Sequence, residues 1–321
     1  MAEVPGNVSQ NVLNHSDLIV PILKLPGAPK VFKKLESFTS MIGDYELIYP
    51  LYDSLALICD NILNMDLKLN SNFYYKMKSL AKLISVQKRL ENLSIVNYDK
   101  KHTDGNSIFW AIISQKETLK SLRLYSVNFY DFKGKSSPIG QFISLQELYI
   151  RGCIGMHRWD YSFLTSSFSQ LSSFHYFHSR RSFVHPQEFI IKILETSNTN
   201  LKNICLDLHS IIPFDTFSAI LNYCTKITEL TLHNLSPEQV IAIFNNNFNE
   251  LRNFSFDCGE KEFDANELLC EMAENISESF ETIRIKMVLA FICYNLIFAS
   301  ILAPFVLFWG PFESLKVMAV G

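Results

Sequence analysis

Leu119-Lys-Ser-Leu122-Arg-Leu124, answered 26 residues later by Leu145-Gln-Glu-Leu148-Tyr-Ile150, carries the pattern on which the reading of this chain turns. The stencil is apolar-x-x-apolar-x-apolar, and its fourth and sixth places flank a polar or mixed fifth, the period of a strand with one buried face. Leu201-x-x-Ile204-x-Leu206, Ile227-x-x-Leu230-x-Leu232 and Leu251-x-x-Phe254-x-Phe256 are further clear copies, and ten in all begin at residues 35, 62, 90, 119, 145, 171, 201, 227, 251 and 280. Steps of 24 to 30 residues are too even for a single globular core. They are the signature of stacked small units.

Between stencils the pattern turns helical. Phe217, Ile220, Leu221 and Cys224 form an i, i+3, i+4, i+7 stripe. Ser236 precedes Pro237 and stands three residues before Gln239, so an N-cap, a first-turn proline and a capping-box partner coincide ahead of Val240, Ile243 and Phe244. Asp264 and Glu267 repeat that arrangement before Leu268 and Leu269. Each unit is therefore strand, loop, helix. Such units cannot bury their own apolar side and must stack, strands in a parallel sheet on one face and helices on the other; because helices are wider than strands, the expected fold class is α/β, a solenoid curved into a horseshoe with a concave sheet. A doubly wound α/β domain also alternates strands and helices, but its strands read as continuous Val/Ile runs without a fixed stencil.

Composition agrees with a folded chain. Forty-eight per cent apolar residues, 26 Phe and only 11 Gly and 11 Pro in 321 residues supply enough burial to offset the entropy of ordering. A net charge of −3 without like-charge blocks gives no footprint for nucleic acid. The seven cysteines lie scattered, without a C-x-x-C pair, and read as reduced, mostly buried thiols of a cytoplasmic or nuclear protein. No basic n-region precedes the short apolar stretch Leu18 to Leu23, so no secretory signal is read.

These residues resemble leucine-rich repeats, and the irregular period near 26 resembles the ribonuclease-inhibitor-like repeats of F-box/leucine-rich-repeat proteins, particularly the fungal families. The resemblance spans about Leu35 to Lys286 and leaves the F-box itself missing or vestigial: only Ile19-Val-Pro-Ile-Leu-Lys-Leu-Pro26 is similar to the segment that closes many F-boxes. It implies a non-catalytic substrate-recognition component of an SCF-type ubiquitin ligase, or a truncated relative, with Skp1 as a partner and no cofactor. The expected organisation is a flexible segment 1–30, repeats over 31–286, a hydrophobic segment 287–310 and a short tail 311–321.

Binding is expected on the concave face, reached by the fifth and seventh stencil places. These are Arg123 and Tyr125, Tyr149 and Arg151, His175 and Phe177, Cys205 and Asp207, Thr231 and His233, and Ser255 and Asp257. Tyr and Arg supply large contact area and forked donors, so a protein or peptide with an acidic and an apolar element is the expected target. Stacked Tyr and Arg also stabilise neighbouring strands without any ligand. His175-x-x-His178 and His185 lack a Cys or carboxylate at ligand spacing, and no metal site is read there. Asp207, His209 and Ser210 lie too close along one strand to converge as a triad, and no nucleophile elbow, phosphate loop or H-E-x-x-H motif occurs.

Met287 to Gly310 runs 24 residues without a charge, enough to cross a bilayer, flanked by Arg284 and Lys286. Three readings stand side by side: a membrane tail anchor that would make the chain a membrane-attached scaffold, a buried terminal cap, or sequence outside the repeat family.

Overall fold

The computed structural model describes residues 27–40, 45–69, 77–97, 105–129, 141–156, 168–179, 186–246, 248–258, 268, 271–272, 281–286 and 316–320. The F-box-like segment 19–26, the Asp264/Glu267 cap, His185 and the uncharged run 287–310 lie outside them. The chain is α/β, with helices alternating with parallel strands, and it divides into two compact units: Met1–Leu171 with Ser179–Pro186, and Ser172–His178 with Gln187–Gly321.

The first unit runs α1 (Ala28–Phe32), β1 (Ser37–Ser40), α2 (Tyr45–Ile58), β2 (Asn64–Leu69), α3 (Met77–Ser85), β3 (Asn92–Asn97), α4 (Gly105–Ile113), β4 (Ser121–Tyr125) and β5 (Glu147–Arg151). Its five strands pair in chain order, all parallel. The second unit runs β6 (Ser173–Phe177), α5 (Gln187–Ser197), β7 (Asn203–Asp207), α6 (Phe214–Tyr223), β8 (Glu229–Leu235), α7 (Pro237–Phe244), β9 (Asn253–Cys258), β10 (Thr282–Lys286) and β11 (Lys316–Val320). Again each strand pairs in parallel with the next.

The stencil maps onto this frame place by place. First-place residues Ile62, Leu90, Leu119, Leu145, Leu171, Leu201, Ile227 and Leu251 are all 0% exposed, so the residue two places before each strand is as deep as the strand's own buried face. Fourth- and sixth-place residues from Leu93 and Ile95 through Phe254 and Phe256 are at most 2% exposed. Register keeps like places together: Leu122 faces Leu93 and Leu148, and Leu230 faces Ile204 and Phe254. Full burial of one such side chain stabilises by roughly 1.5–3 kcal/mol, and each stacks on its counterparts in adjacent strands. In the first copy the sixth place is Ser40, whose Oγ lies 2.6 Å from the buried Tyr52 hydroxyl. Burial pushes that phenol up to about 12.

Helices cover the buried face. Ser236 caps α7 through a complete capping box with Gln239, and Val240, Ile243 and Phe244 point inward as their spacing predicts. In α6, Phe217 and Ile220 are buried and Leu221 is half-buried, while Thr216 and Ala219 widen the buried stripe. Edge-to-face rings tie helix to strand, Phe244 to Phe254 at 5.7 Å and Phe189 to Phe174 at 6.3 Å.

Two buried glutamines, which the apolar pattern does not reveal, join neighbouring repeats. Gln87 Nε2 donates to the Cys59 and Leu83 carbonyls at 2.9 and 2.8 Å, and its Oε1 accepts the Ile62 amide at 2.9 Å. Gln115 Nε2 donates in turn to the Ile84 and Gln87 carbonyls. Gln87→Leu keeps the volume but strands three backbone groups, each costing about 1–3 kcal/mol when unpaired. Urea unfolding of this variant is expected to show a loss of several kcal/mol, whereas Arg252→Gln, which removes an exposed ion pair with Glu281, should leave the midpoint nearly unmoved.

The thiols supply a second check. Cys59, Cys153, Cys205, Cys224 and Cys258 are free and buried, and burial pushes each up to about 12, so at pH 8 they stay protonated. Of the seven cysteines in the chain, Ellman's reagent at pH 8 is expected to titrate at most two in the native protein and all seven in guanidinium.

Candidate functional site

Period-two alternation leaves the third, fifth and seventh stencil places on the sheet face that the helices do not cover. In the first unit this open face presents Arg123 and Tyr125 on β4 and Tyr149 and Arg151 on β5, with Arg123 in register with Tyr149 and Tyr125 with Arg151. Both arginines are exposed and both tyrosines half-buried. The tyrosine rings meet diagonally, centroids 4.9 Å apart at an interplanar angle of 33°. Burial, and then the neighbouring Tyr149, raise the Tyr125 phenol above its ordinary value. Arg123 reaches Glu147 Oε2 at 3.2 Å, and that same oxygen accepts the Ser121 hydroxyl at 3.0 Å. The four residues expected to act together in this part of the chain are adjacent, and Arg123 pairs with a carboxylate.

Each strand of this patch ends in a left-handed turn. Ser126 has φ +55° and Gly152 φ +66°. A Cβ on Gly152 would lie 3.3 Å from Ser126 Oγ, so both the backbone angle and the close approach favour glycine there. The Ser126 amide donates to the Arg151 carbonyl at 2.7 Å, a backbone partner on the next strand.

The second unit uses its open face differently. His175 is half-buried, its Nε2 2.9 Å from Ser173 Oγ, and Phe177 stands in register with Asp207. Cys205, in register with His175 and Thr231 on this face, is 9% exposed. Asp207 Oδ1 accepts the amide of His209 at 3.0 Å and lies 3.3 Å from its Nδ1, so this aspartate closes the left-handed turn at His209, φ +56°. Asp257 does the same across strands: Oδ1 accepts the Asn234 amide at 2.5 Å, and Oδ2 lies 2.6 Å from His233 Nδ1. Asn234 has φ +61°, and the pairing of β8 with β9 shifts register between Leu232 and Leu235 at this point. The acids read as ligand-facing rungs thus accept local backbone donors, a role that stencil position alone does not reveal.

His178, three residues after His175, is 5% exposed, with Nδ1 3.2 Å from the buried Tyr176 hydroxyl. Among the described residues no group of three His, Cys, Asp or Glu side chains is placed to hold a metal ion. Likewise no described helix is long and apolar enough to cross a membrane.

The chain matches no known family model, and no curated protein sequence matches it.

Asp257→Ala removes the acceptor of a half-buried turn, at an expected cost of about 1 kcal/mol. Amide hydrogen exchange at Asn234 should accelerate in this variant while amides in β4 and β5 keep their protection.

Proposed function

We propose that this protein is a non-catalytic recognition module of leucine-rich-repeat type. Its strand-helix units stack into a curved solenoid, parallel strands on the concave face and helices on the convex one, and the open sheet face grips a protein or peptide target. The observation that carries the reading is the Arg123, Tyr125, Tyr149, Arg151 quartet: an aromatic pair and two exposed guanidinium groups set on rigid strands, the residue types that dominate binding hot spots. Fold support comes from the parallel pairing in chain order and from the burial of every first-place residue from Ile62 to Leu251.

The resemblance to F-box/leucine-rich-repeat proteins extends this proposal to a substrate-recognition component of an SCF-type ubiquitin ligase, or a truncated relative that kept the repeats. Skp1 is the partner that reading requires. The competing scaffold reading rests on the uncharged run Met287–Gly310. Against a single bilayer crossing stands the pairing of β10 with β11, Ile283 beside Val317 and Ile285 beside Ala319, which sets the strands before and after the run in one sheet. A lone crossing would separate those strands by a membrane.

A photo-crosslinking residue placed at Ser94, in register with Arg123 on the open face, is expected to yield a target adduct in cell extract. The same residue at Leu57, 76% exposed on α2, should not. Arg123→Ala with Tyr149→Ala should abolish the Ser94 adduct while the native fold is retained. Adducts from Leu57 alone would refute an open-face recognition surface, and co-purification of Skp1 separates the ligase adaptor from a ligase-independent scaffold.

A further inference from the structure

Among the described residues of the second unit, folding leaves two large apolar side chains exposed, and they stand three residues apart: Ile211, 36% exposed, and Phe214, 78% exposed. Both lie where the chain leaves the carboxyl end of β7 and enters α6. This stretch is pinned on either side of them. Asp207 Oδ1 accepts the His209 amide at 3.0 Å, and the Ile212 carbonyl accepts Gln239 Nε2 from α7 at 2.8 Å. Between and beyond the exposed pair, Ile212 and Phe217 are buried. Pro213, at φ −57°, sets the entry to the helix. The interior is therefore filled by Ile212 and Phe217, while Ile211 and Phe214 face solvent from backbone that a partner would not have to order.

The repeats around this pair carry charge of one sign. From Asn203 to Leu251 the chain has five carboxylates, Asp207, Asp215, Glu229, Glu238 and Glu250, against one cation, Lys226, which stands at the opposite, amino end of the strands. That stretch is at −4 within a chain whose net charge is −3. Asp215, next to Phe214, lies in the first turn of α6, where it complements the helix dipole, and it is exposed. We propose that this rim docks a basic segment of a partner protein, one whose apolar side chain seats on Ile211 and Phe214 and is flanked by Lys or Arg. The site uses none of the open-face quartet and does not rest on it. An exposed aromatic ring beside an aliphatic side chain supplies the apolar area, and the acidic surroundings select cationic flanks and speed encounter. The same field opposes the phosphates of a nucleic acid or an anionic lipid surface.

The test is fluorescence anisotropy of the full chain with a fluorescein-labelled Arg-Lys-Ala-Leu-Trp-Ala-Lys-Arg peptide. Phe214→Ser is expected to weaken binding by about tenfold, and Asp215→Asn by about threefold, with the native fold retained because both side chains are exposed. Alanine in place of the peptide's Leu and Trp should weaken it as much as Phe214→Ser does, and glutamate in place of its Arg and Lys should abolish it. Raised salt should weaken it too. Arg123→Ala with Tyr149→Ala should leave it unchanged. Absence of binding, equal binding of the alanine or glutamate peptide, or indifference to both Phe214→Ser and Ile211→Ser would each overturn the proposal. So would an equal loss in the Arg123 and Tyr149 variant, which moves the peptide to the open face. A Phe214-dependent dimer in sedimentation velocity, or Phe214-dependent uptake on phosphatidylcholine vesicles, without peptide binding, would assign the pair to a second copy or to lipid instead. Because the Ser94 adduct is read separately, failure at this rim leaves the open-face reading standing.

Discussion

One carbonyl per repeat, at the second stencil place, accepts two amides from the following repeat, and the rest of the architecture depends on that double bond. Glu36 O takes the amides of Leu63 and Asn64, Leu63 O those of Glu91 and Asn92, Glu91 O those of Lys120 and Ser121, and Lys120 O those of Gln146 and Glu147, all between 2.8 and 3.0 Å. In the second unit Ser172, Lys202, Thr228 and Arg252 accept in the same way from Lys202/Asn203, Thr228/Glu229, Arg252/Asn253 and Glu281/Thr282. A slip of one residue would exchange the buried and open faces of a strand. The paired donors act where each strand begins, and they hold the register that the buried rows require.

Once register is fixed, each repeat contributes the same stencil place to a common row. Rows of first-, fourth- and sixth-place side chains make the interior, and no single repeat has enough of them to stand alone. Polar side chains then bridge the helix layer to the repeat before it: Gln87 and Gln115 in the first unit, Gln239 Nε2 on the Ile212 carbonyl at 2.8 Å and Asn246 Nδ2 on the Leu221 carbonyl at 3.2 Å in the second. Because these amides satisfy carbonyls that would otherwise be orphaned, the loops between strand and helix can be buried without the usual penalty.

How much of this is legible in the sequence depends on whether the cause is periodic. Strands and their buried faces are legible because a period of two leaves an imprint in residue type, and the α7 start is legible because Ser236, Pro237 and Gln239 each serve the helix terminus. The glutamine bridges are not, since their partners are backbone groups of another repeat and carry no residue signature. Nor are the left-handed turns at Ser126, His209 and Asn234, where only Gly152 advertises the angle. The quartet Arg123, Tyr125, Tyr149 and Arg151 can be read from stencil position alone. The occupation of Asp207 and Asp257 by turn amides cannot, because it depends on backbone angles that follow the strand.

Those turns give a structural reason for the contrast in chemistry between the two open faces. Where a strand closes in a left-handed turn, an amide at that turn must find an acceptor. Where that amide finds a backbone carbonyl, as Ser126 does on Arg151, the seventh place needs no acceptor and is released to Tyr125 and Arg151. Where it does not, as at His209 and Asn234, an aspartate at a seventh place takes the donor, and Asp207 and Asp257 stand where a contact residue could have been. The acids of the second unit therefore follow from how its strands end, and the aromatic and cationic residues of the first are those that turn closure leaves unconstrained.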